Sequence, residues 1–220
     1  MSETDAILTQ LQQYDTCTMS DALDFLGLPG ATFGVRPMSS LGPIVGRALT
    51  VEATARQEGV PGQKHLSTEA IASADPGDVM VMALGGRVDV SGWGDIVTHA
   101  ARKRGVIGAV VDGACRDVDE AAALGFPVFA RAAVPISARG RLVEKANRGP
   151  VTFAGVLVNN GDYLIADTCG VVFIPPDRVE EALQLAAGIV ERESHMIDEV
   201  DGGQSVERVM HDSEFESIAK

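Results

Sequence analysis

A mixed α/β fold, with a central sheet and helices at both ends, is what the sequence predicts. Two apolar runs of strand length, 79–84 and 106–111, stand in the middle of the chain, and a segment with helical spacing follows each. The first 27 residues and those from 177 onward show helical patterns instead. A strand–helix–strand–helix order is typical of a parallel strand pair, so the sheet should be mixed.

The elements before this pattern are two helices, a strand and a further helix. Residues 1–27 predict two short helices, and Thr18 or Ser20 is a candidate N-cap for the second. Residues 44–55 contain β-branched side chains with partial alternation, which indicates a strand. A helix over roughly 66–74 should stop before a Pro-Gly-Asp turn sequence.

The rest of the chain should continue as alternating short elements and end in helix. The prediction for the middle is strand 79–84, loop 85–93, helix 95–103, strand 106–111, helix 117–124 and strand 127–130. Three further strands are expected at 151–158, 163–166 and 171–174, then a long helix at 177–199 and a polar helix beyond Gly202-Gly203. With no linker or repeat to divide it, the chain 1–220 is interpreted as a single domain.

Charge and cysteine content narrow the classes of function. Lys and Arg total 18 against 31 Asp and Glu, and this net charge of −13 disfavours nucleic acid and anionic membrane surfaces as partners. No apolar run approaches the ~20 residues that a membrane-spanning helix needs. Three cysteines without paired spacing, and an acidic start without signal-peptide character, favour a reducing, cytoplasmic location.

Polar residues gather at one predicted edge of the sheet. The loops leaving two parallel strands emerge at their shared carboxyl edge, where open α/β folds build sites. Asp95 begins the helix after the first strand, and Arg116 and Asp117 precede the helix after the second. Asp117 is a hard oxygen ligand suited to Mg²⁺ or Mn²⁺, and Arg116 offers a planar fork for a carboxylate. Asp95 could supply a second carboxylate that orders a water molecule.

A plainer interpretation of the same residues stays open at this point. An Asp at a helix start is commonly a cap, and a neighbouring Arg is commonly a surface cation. Cys115 lies beside these residues without a His to activate it, so it is interpreted as a buried packing residue. His65, next to Lys64, could line a substrate entrance, and Arg87 in the predicted glycine loop could bind a second carboxylate.

The segment 105–120, GVIGAVVDGACRDVDE, resembles the RraA-like family, which includes 4-hydroxy-4-methyl-2-oxoglutarate aldolases. The aldolase pattern is an Asp, twenty residues, Arg-Asp, two residues and an acidic residue. Here these are Asp95, Arg116, Asp117 and Glu120. The resemblance continues in 161–175, GDYLIADTCGVVFIP, and implies a layered β/β/α sandwich around a mixed central sheet.

The resemblance also implies an activity, a cofactor and roles for individual residues. Asp117 would bind Mg²⁺ or Mn²⁺, Arg116 would hold the carboxylate and keto oxygen of a pyruvate-like group, and Asp95 would order a water on the metal. Backbone groups around the start of the following helix would face the substrate carboxylate: Gly94, Ile96 and Val97. The reaction would be retro-aldol cleavage of a small 4-hydroxy-2-oxo acid with release of pyruvate. Oxaloacetate decarboxylation would share its enolate.

Assembly and an alternative function follow from the same resemblance. The family implies a homotrimer or homohexamer, in which the 177–220 segment packs on a neighbouring subunit and brings Glu193, or alternatively Glu191, to that subunit's site. One branch of the family inhibits a ribonuclease through protein contact. Such regulators commonly depart at the position of Asp95, so its presence favours an enzyme. A methyltransferase is disfavoured because no G-x-G-x-x-G loop is present.

Overall fold

A computed structural model describes residues 3–39, 42–57 and 65–210 of the chain. The helices are α1 Glu3–Leu11, α2 Thr16–Phe25, α3 Thr68–Ala72, α4 Asp95–Lys103, α5 Val118–Ala123, α6 Val179–Asp201 and α7 Val206–Val209. The strands are β1 Arg36–Ser39, β2 Ile44–Ala55, β3 Asp78–Trp93, β4 Gly108–Cys115, β5 Val128–Ala133, β6 Leu142–Asn147, β7 Val151–Phe153, β8 Val156–Val158, β9 Tyr163–Ala166 and β10 Val171–Ile174.

The central sheet is mixed, as predicted. Its strand order is β1-β5-β4-β3-β2-β9-β10, with β6 also paired to β2. The pairs β2–β3, β3–β4 and β4–β5 are parallel, and the outer pairs are antiparallel. The strands β7 and β8 form a separate two-stranded sheet. The predicted parallel pair is therefore β3 and β4, and their carboxyl ends lie side by side.

Both faces of the central sheet are covered, which explains the continuous apolar runs of its strands. Met80 and Met82 of β3 belong to a buried cluster with residues of α3, α4 and α5. Val79 and Val81, on the other face, pack with the β7–β8 hairpin in a second cluster. A third cluster joins α1, α2 and α6 to β9 and β10. The result is the layered arrangement, with helices at both ends, that the sequence predicts.

Two predictions about the strands were wrong. Residues 85–93 were expected to form a loop, but β3 continues to Trp93 because the segment still pairs with the end of β4. The positive φ angles of Gly85 and Gly86, 63° and 77°, accompany repeated register shifts along this part of the strand. The predicted strand 151–158 is a hairpin, since Ala154 and Gly155 turn the chain with φ of 50° and 92°.

A buried carboxylate attaches this hairpin to the central sheet. Asp112 of β4 has only 3% of its surface exposed. Its Oδ1 accepts a hydrogen bond from Arg131 Nε of β5 at 2.5 Å, and its Oδ2 accepts one from the Ala154 N–H at 3.0 Å. Through these two hydrogen bonds Asp112 holds β4, β5 and the hairpin turn together. Removing Asp112 or Arg131 would leave the charge of the other residue uncompensated.

The start of α2 is held by two aspartates and not by the residues the sequence suggested. Asp15 is the N-cap, and its carboxylate accepts a hydrogen bond from the Thr18 N–H at 2.8 Å. Neither Thr18 nor Ser20, the predicted candidates, is the cap. Asp167, between β9 and β10, accepts hydrogen bonds from the Thr16 N–H at 2.8 Å and the Thr16 hydroxyl at 2.7 Å. The helix is thereby fastened to the β9–β10 turn.

The Asp167 contacts predict a pH-dependent contribution to stability. Burial raises the pKa of this carboxyl, but hydrogen bonds from Thr16, Cys169 and Gly170 together bring the pKa below its ordinary value. A carboxyl with a lowered folded-state pKa stabilises the fold above its unfolded pKa of about 3.9, and this contribution is lost as pH falls through the folded value. We expect the difference in unfolding free energy between the wild type and Asp167→Asn to shrink below about pH 4.

Urea unfolding of the two proteins between about pH 3 and 7 measures this difference directly. The comparison removes the contributions of all other carboxyls, which the two proteins share. A difference that stays constant over the whole range would contradict the assignment.

None of the helices in the described ranges is long and apolar enough to cross a membrane.

Candidate functional site

Two strand-to-helix junctions meet at the carboxyl edge of β3 and β4. Trp93 ends β3 opposite Cys115, which ends β4. Gly94 then leads into α4, and Arg116 and Asp117 lead into α5. The Arg116 N–H donates a hydrogen bond to the Trp93 carbonyl oxygen at 3.0 Å, so the two junctions are bonded to each other. The side chains that follow them are therefore held in one place.

Asp117 stands at the N-cap position of α5, but its side chain does not cap the helix. Its backbone lies in the left-handed region, with φ of 55° and ψ of 41°, and its side chain makes no capping hydrogen bond. The Oδ2 atom instead accepts from the Asp95 N–H at 3.1 Å and lies 3.0 Å from Arg116 Nε. Asp is one of the few residue types that tolerate this backbone conformation. Capping by the Asp117 side chain is thus excluded, and its carboxylate bonds across the junction to the Asp95 N–H.

Asp95 completes a cluster of three charged side chains. Its Oδ1 lies 4.0 Å from Arg116 Nη2 and accepts a hydrogen bond from the Ile96 N–H at 2.7 Å. The side chains of Arg116, Asp95 and Asp117 are 34%, 42% and 29% exposed. Ion pairs this exposed contribute about 0–1 kcal/mol to stability. The cluster therefore contributes little to folding and is accessible to a ligand.

Gly94 is the residue that lets the cluster form. A Cβ atom at this position would lie 2.8 Å from Asp117 Oδ2 and 3.1 Å from Arg116 Nε. Any side chain here would push the aspartate or the arginine away. The φ and ψ of Gly94, −165° and −167°, are extended and open to any residue, so the need for glycine is one of space.

The cluster borders a small recess of about 40 Å³. Trp93 forms one wall: its indole stacks on Phe126 with ring centroids 6.1 Å apart, and its Nε1 donates to Thr98 Oγ1 at 2.9 Å. The remaining lining residues are His65, Ser91, Gly92, Gly94, Asp95, Ile96, Val97, Arg116, Ser137 and Ala138. His65 is thus at the recess as the sequence suggested, and Lys64 lies outside the described residues.

The donor set fits a hydrated hard cation. Over the described ranges, no group of three or more His, Cys, Asp or Glu side chains is placed to hold a metal ion. Asp95 and Asp117 nevertheless supply two carboxylates at one partly exposed point. Mg²⁺ keeps several waters and commonly uses only one or two carboxylates, whereas a structural zinc site needs four protein ligands. The arrangement therefore suits Mg²⁺ or Mn²⁺.

Other residues singled out in the sequence lie elsewhere. Arg87, Gly85 and Gly86 line a separate, larger cleft of about 1060 Å³ between the end of β2, the middle of β3 and the β7–β8 hairpin. Arg87 is paired there with Asp89 at 2.7 Å. Glu193 lines a groove between α2 and α6 and is not among the residues around the Arg116 recess. Its predicted role at a neighbouring subunit stays a prediction.

Sequence reasoning missed one polar pair and classified one cysteine correctly. The pair is Asp112 and Arg131, which lines the larger cleft. The sequence feature that could have indicated it is an aspartate inside an otherwise apolar strand.

Cys115 is fully buried, and burial raises the pKa of its thiol to about 11. A thiol of this kind packs in the core and is not a nucleophile at neutral pH.

Fold and site together define a mixed α/β protein with an arginine–aspartate cluster at the carboxyl edge of two parallel strands. The chain belongs to the RraA-like family, described as Aldolase/RraA, which matches residues 16–173.

Two curated relatives are similar to this chain over most of its length. Protein DlpA of Legionella pneumophila is 30% identical over 217 residues, which are 97% of this chain and 35% of that protein. This chain therefore spans about a third of the length of that relative. A protein of Halalkalibacterium halodurans, provisionally named a 4-hydroxy-4-methyl-2-oxoglutarate aldolase, is 34% identical over 179 residues, which are 81% of each chain.

Solved structures agree with the fold. An uncharacterised protein from Pseudomonas syringae superposes with a TM-score of 0.81 at 29% identity, over 94% of this chain and 98% of that one. Streptomyces coelicolor RraAS2, described as an unusual member of the RNase ES inhibitor RraA family, gives 0.78 at 25% identity, over 86% and 94%.

Proposed function

We propose that this protein is a divalent-metal-dependent lyase that cleaves a C–C bond of a small 4-hydroxy-2-oxo acid and releases pyruvate. Oxaloacetate decarboxylation would be a second reaction of the same site. The observation that carries the proposal is the cluster of Arg116, Asp117 and Asp95, joined by contacts of 3.0–4.0 Å at the edge of the sheet. The provisional aldolase name of the H. halodurans relative supports the same reaction class.

Arg116 is the residue that would bind the 2-oxo acid. Its Nε lies 3.0 Å from Asp117 Oδ2, which restrains the guanidinium, and the residue lines the recess. A planar fork of this kind can donate two hydrogen bonds to a carboxylate and a neighbouring keto oxygen. The first turn of α4, residues 95–97, lines the same recess and adds the positive end of a helix dipole.

Asp117 and Asp95 would provide the remaining chemistry. Asp117 would hold Mg²⁺ or Mn²⁺, with waters as most of the other ligands. When bound, such a cation stabilises negative charge that develops on the 2-oxo oxygen. Asp95, whose Oδ1 is 4.0 Å from Arg116 Nη2, would order a water and relay the proton of the substrate's 4-hydroxyl.

The cleavage follows from these roles. The 4-hydroxyl loses its proton, and the C3–C4 bond breaks as C4 becomes the carbonyl carbon of the second product. The electrons of that bond pass to the 2-oxo group as the enolate of pyruvate. Arg116 stabilises that charge through hydrogen bonds that strengthen as the charge develops. Protonation at C3 then gives pyruvate. Loss of CO₂ from oxaloacetate breaks the equivalent bond and yields the same enolate.

The deciding experiment measures pyruvate released from 4-hydroxy-4-methyl-2-oxoglutarate and from oxaloacetate, with Mg²⁺, with Mn²⁺ and with EDTA. Release that needs the metal is expected, and the ratio of the two rates ranks the substrates. If a folded protein that binds Mn²⁺ released no pyruvate from either compound, the substrate would be a different 2-oxo acid. If neither release nor Mn²⁺ binding occurred, the lyase assignment would be wrong and a protein-binding regulator would be the better hypothesis.

A multimeric enzyme would complete the site. The recess holds about 40 Å³, little more than one water molecule, so a dicarboxylic substrate needs further walls. We propose that a neighbouring copy in a homotrimer or homohexamer supplies them, with Glu193 of α6 as the contributed carboxylate.

Glu193→Gln should lower the rate of pyruvate release, while Glu191→Gln, two residues away on the same helix, should not. The opposite pattern would assign the role to Glu191.

Gly94→Ala tests the geometry of the cluster without changing a charged residue. The added methyl group would come within 2.8 Å of Asp117 Oδ2 and separate the aspartate from Arg116, so we expect pyruvate release to fall by about 10–100-fold. Circular dichroism should be unchanged because alanine tolerates extended backbone. Gly149→Ala, where an added Cβ has no atom within 4 Å, is the matched control. Equal activity of Gly94→Ala and wild type would mean that Asp117 and Arg116 can move apart without slowing pyruvate release.

A further inference from the structure

Two exposed cysteines meet away from the candidate active site. Cys17 lies in the first turn of α2, and Cys169 lies in the turn between β9 and β10. Although far apart in sequence, the two cysteines lie in neighbouring segments, because the Thr16 N–H and the Cys169 N–H both donate to the carboxylate of Asp167. The third cysteine, Cys115, is fully buried at the end of β4. The surface therefore carries two neighbouring exposed thiols for which the proposed lyase reaction has no use.

Several hydrogen bonds hold together the two backbone segments that carry Cys17 and Cys169. Asp167 accepts from the Thr16 N–H at 2.8 Å and also from the Cys169 N–H at 2.8 Å, so one carboxylate joins both cysteine-bearing segments. Arg36 Nη1 donates to the carbonyl oxygens of Thr168 at 3.0 Å and Cys169 at 2.5 Å, which fixes the turn from the other side. The proximity of the thiols is thus built into the local structure.

We propose that Cys17 and Cys169 form a reversible intramolecular disulfide under oxidising conditions, with a peroxide as the oxidant. The thiolate of one cysteine attacks one oxygen of hydrogen peroxide, giving a sulfenic acid and releasing water after proton uptake. The sulfur of the other cysteine then attacks the sulfenic sulfur, forms the S–S bond and releases a second water. Two thiols and one peroxide become one disulfide and two waters, and an external dithiol reverses the change.

Thiol counting under denaturing conditions tests the proposal. The chain has three cysteines, and peroxide treatment of the folded protein should leave one free thiol, with three restored by dithiothreitol. Peptide mapping should show Cys17 linked to Cys169 within one chain. The Cys115→Ala variant should fall from two thiols to none. Oxidised protein should also melt roughly 5–10 °C higher, since the bond closes a long loop.

Single variants separate this site from general oxidation. In Cys17→Ser, Cys169 should be trapped as a sulfenic acid by dimedone, because its resolving partner is absent. Three thiols remaining after a peroxide dose that fully oxidises free dithiothreitol would overturn the proposal. A disulfide between two chains, or one that involves Cys115, would overturn it as well. None of these readouts depends on the lyase reaction, so failure here leaves the proposed function unaffected.

Discussion

Asp117→Ala is expected to lower metal-dependent pyruvate release by about 10³-fold or more, the largest loss among single variants of this chain. The substitution removes the proposed metal ligand and the partner that fixes Arg116 at 3.0 Å. It also places alanine at φ of 55°, where a non-glycine residue without a polar side chain is strained. Steady-state rates with saturating Mn²⁺, together with Mn²⁺ titration followed by electron paramagnetic resonance, measure both effects.

Two further variants make the Asp117 result interpretable. Asp117→Asn keeps a side chain that tolerates the left-handed backbone and can still accept a hydrogen bond from the Asp95 N–H, so its loss of activity reports the charge alone. Asp119→Ala removes an exposed carboxylate two residues away on α5 and should retain activity. Full activity in Asp117→Asn would show that the negative charge is unnecessary, and the metal-ligand role would then be abandoned.

Arg116→Lys is expected to reduce kcat/KM by about 10²-fold, with the fold intact. Lysine keeps the positive charge and could still approach Asp117, but it cannot donate two parallel hydrogen bonds to a carboxylate and keto oxygen. Loss of such an interaction with developing charge costs about 2–4 kcal/mol in comparable sites. Steady-state kinetics with oxaloacetate gives kcat and KM separately.

The matched control for this change is Arg102→Lys, at an exposed position near the end of α4. It should leave both parameters unchanged. An Arg116→Lys enzyme as active as the wild type would mean that only a positive charge is needed there, and the proposed two-point binding of the 2-oxo acid would be wrong.

The placement of the three candidate site residues was predictable because it depends on topology. Parallel strands of strongly apolar character have their carboxyl ends on one edge, and the residues that follow each strand must meet there. Asp95 and Arg116-Asp117 satisfy this rule, and the structure brings them within 3.0–4.0 Å of each other. The rule needs only the order of elements, which hydrophobic runs indicate well.

Features that depend on non-local pairing were not predictable. The Gly85-Gly86 sequence favours a loop, yet the following residues extend β3 because β4 offers unpaired backbone there. β1 contains Pro37 and β6 is largely polar, so neither shows a strand pattern, although both pair with longer strands. The hairpin at 154–155 depends on a left-handed alanine, which is rare for a residue with a side chain.

The fine geometry of the cluster also lay beyond sequence reasoning. Nothing in the pattern indicates that Asp117 adopts a left-handed backbone or that its carboxylate bonds to the Asp95 N–H. The steric role of Gly94 likewise emerges only once the two junctions are placed side by side. Local propensity sets the helices and strands, whereas these contacts follow from the approach of segments that are about twenty residues apart.

The attachment of the β7–β8 hairpin through Asp112 has a consequence for amide hydrogen exchange. The Ala154 N–H sits at a hairpin turn, where amides usually exchange with solvent quickly, but here it donates to a carboxylate with 3% of its surface exposed. We therefore expect exchange at Ala154 to require the whole hairpin to lift from the sheet, and not only the turn to fluctuate. The exchange rate of that single amide should report the free energy of lifting the hairpin from the sheet. The same movement would open the large cleft that the hairpin borders.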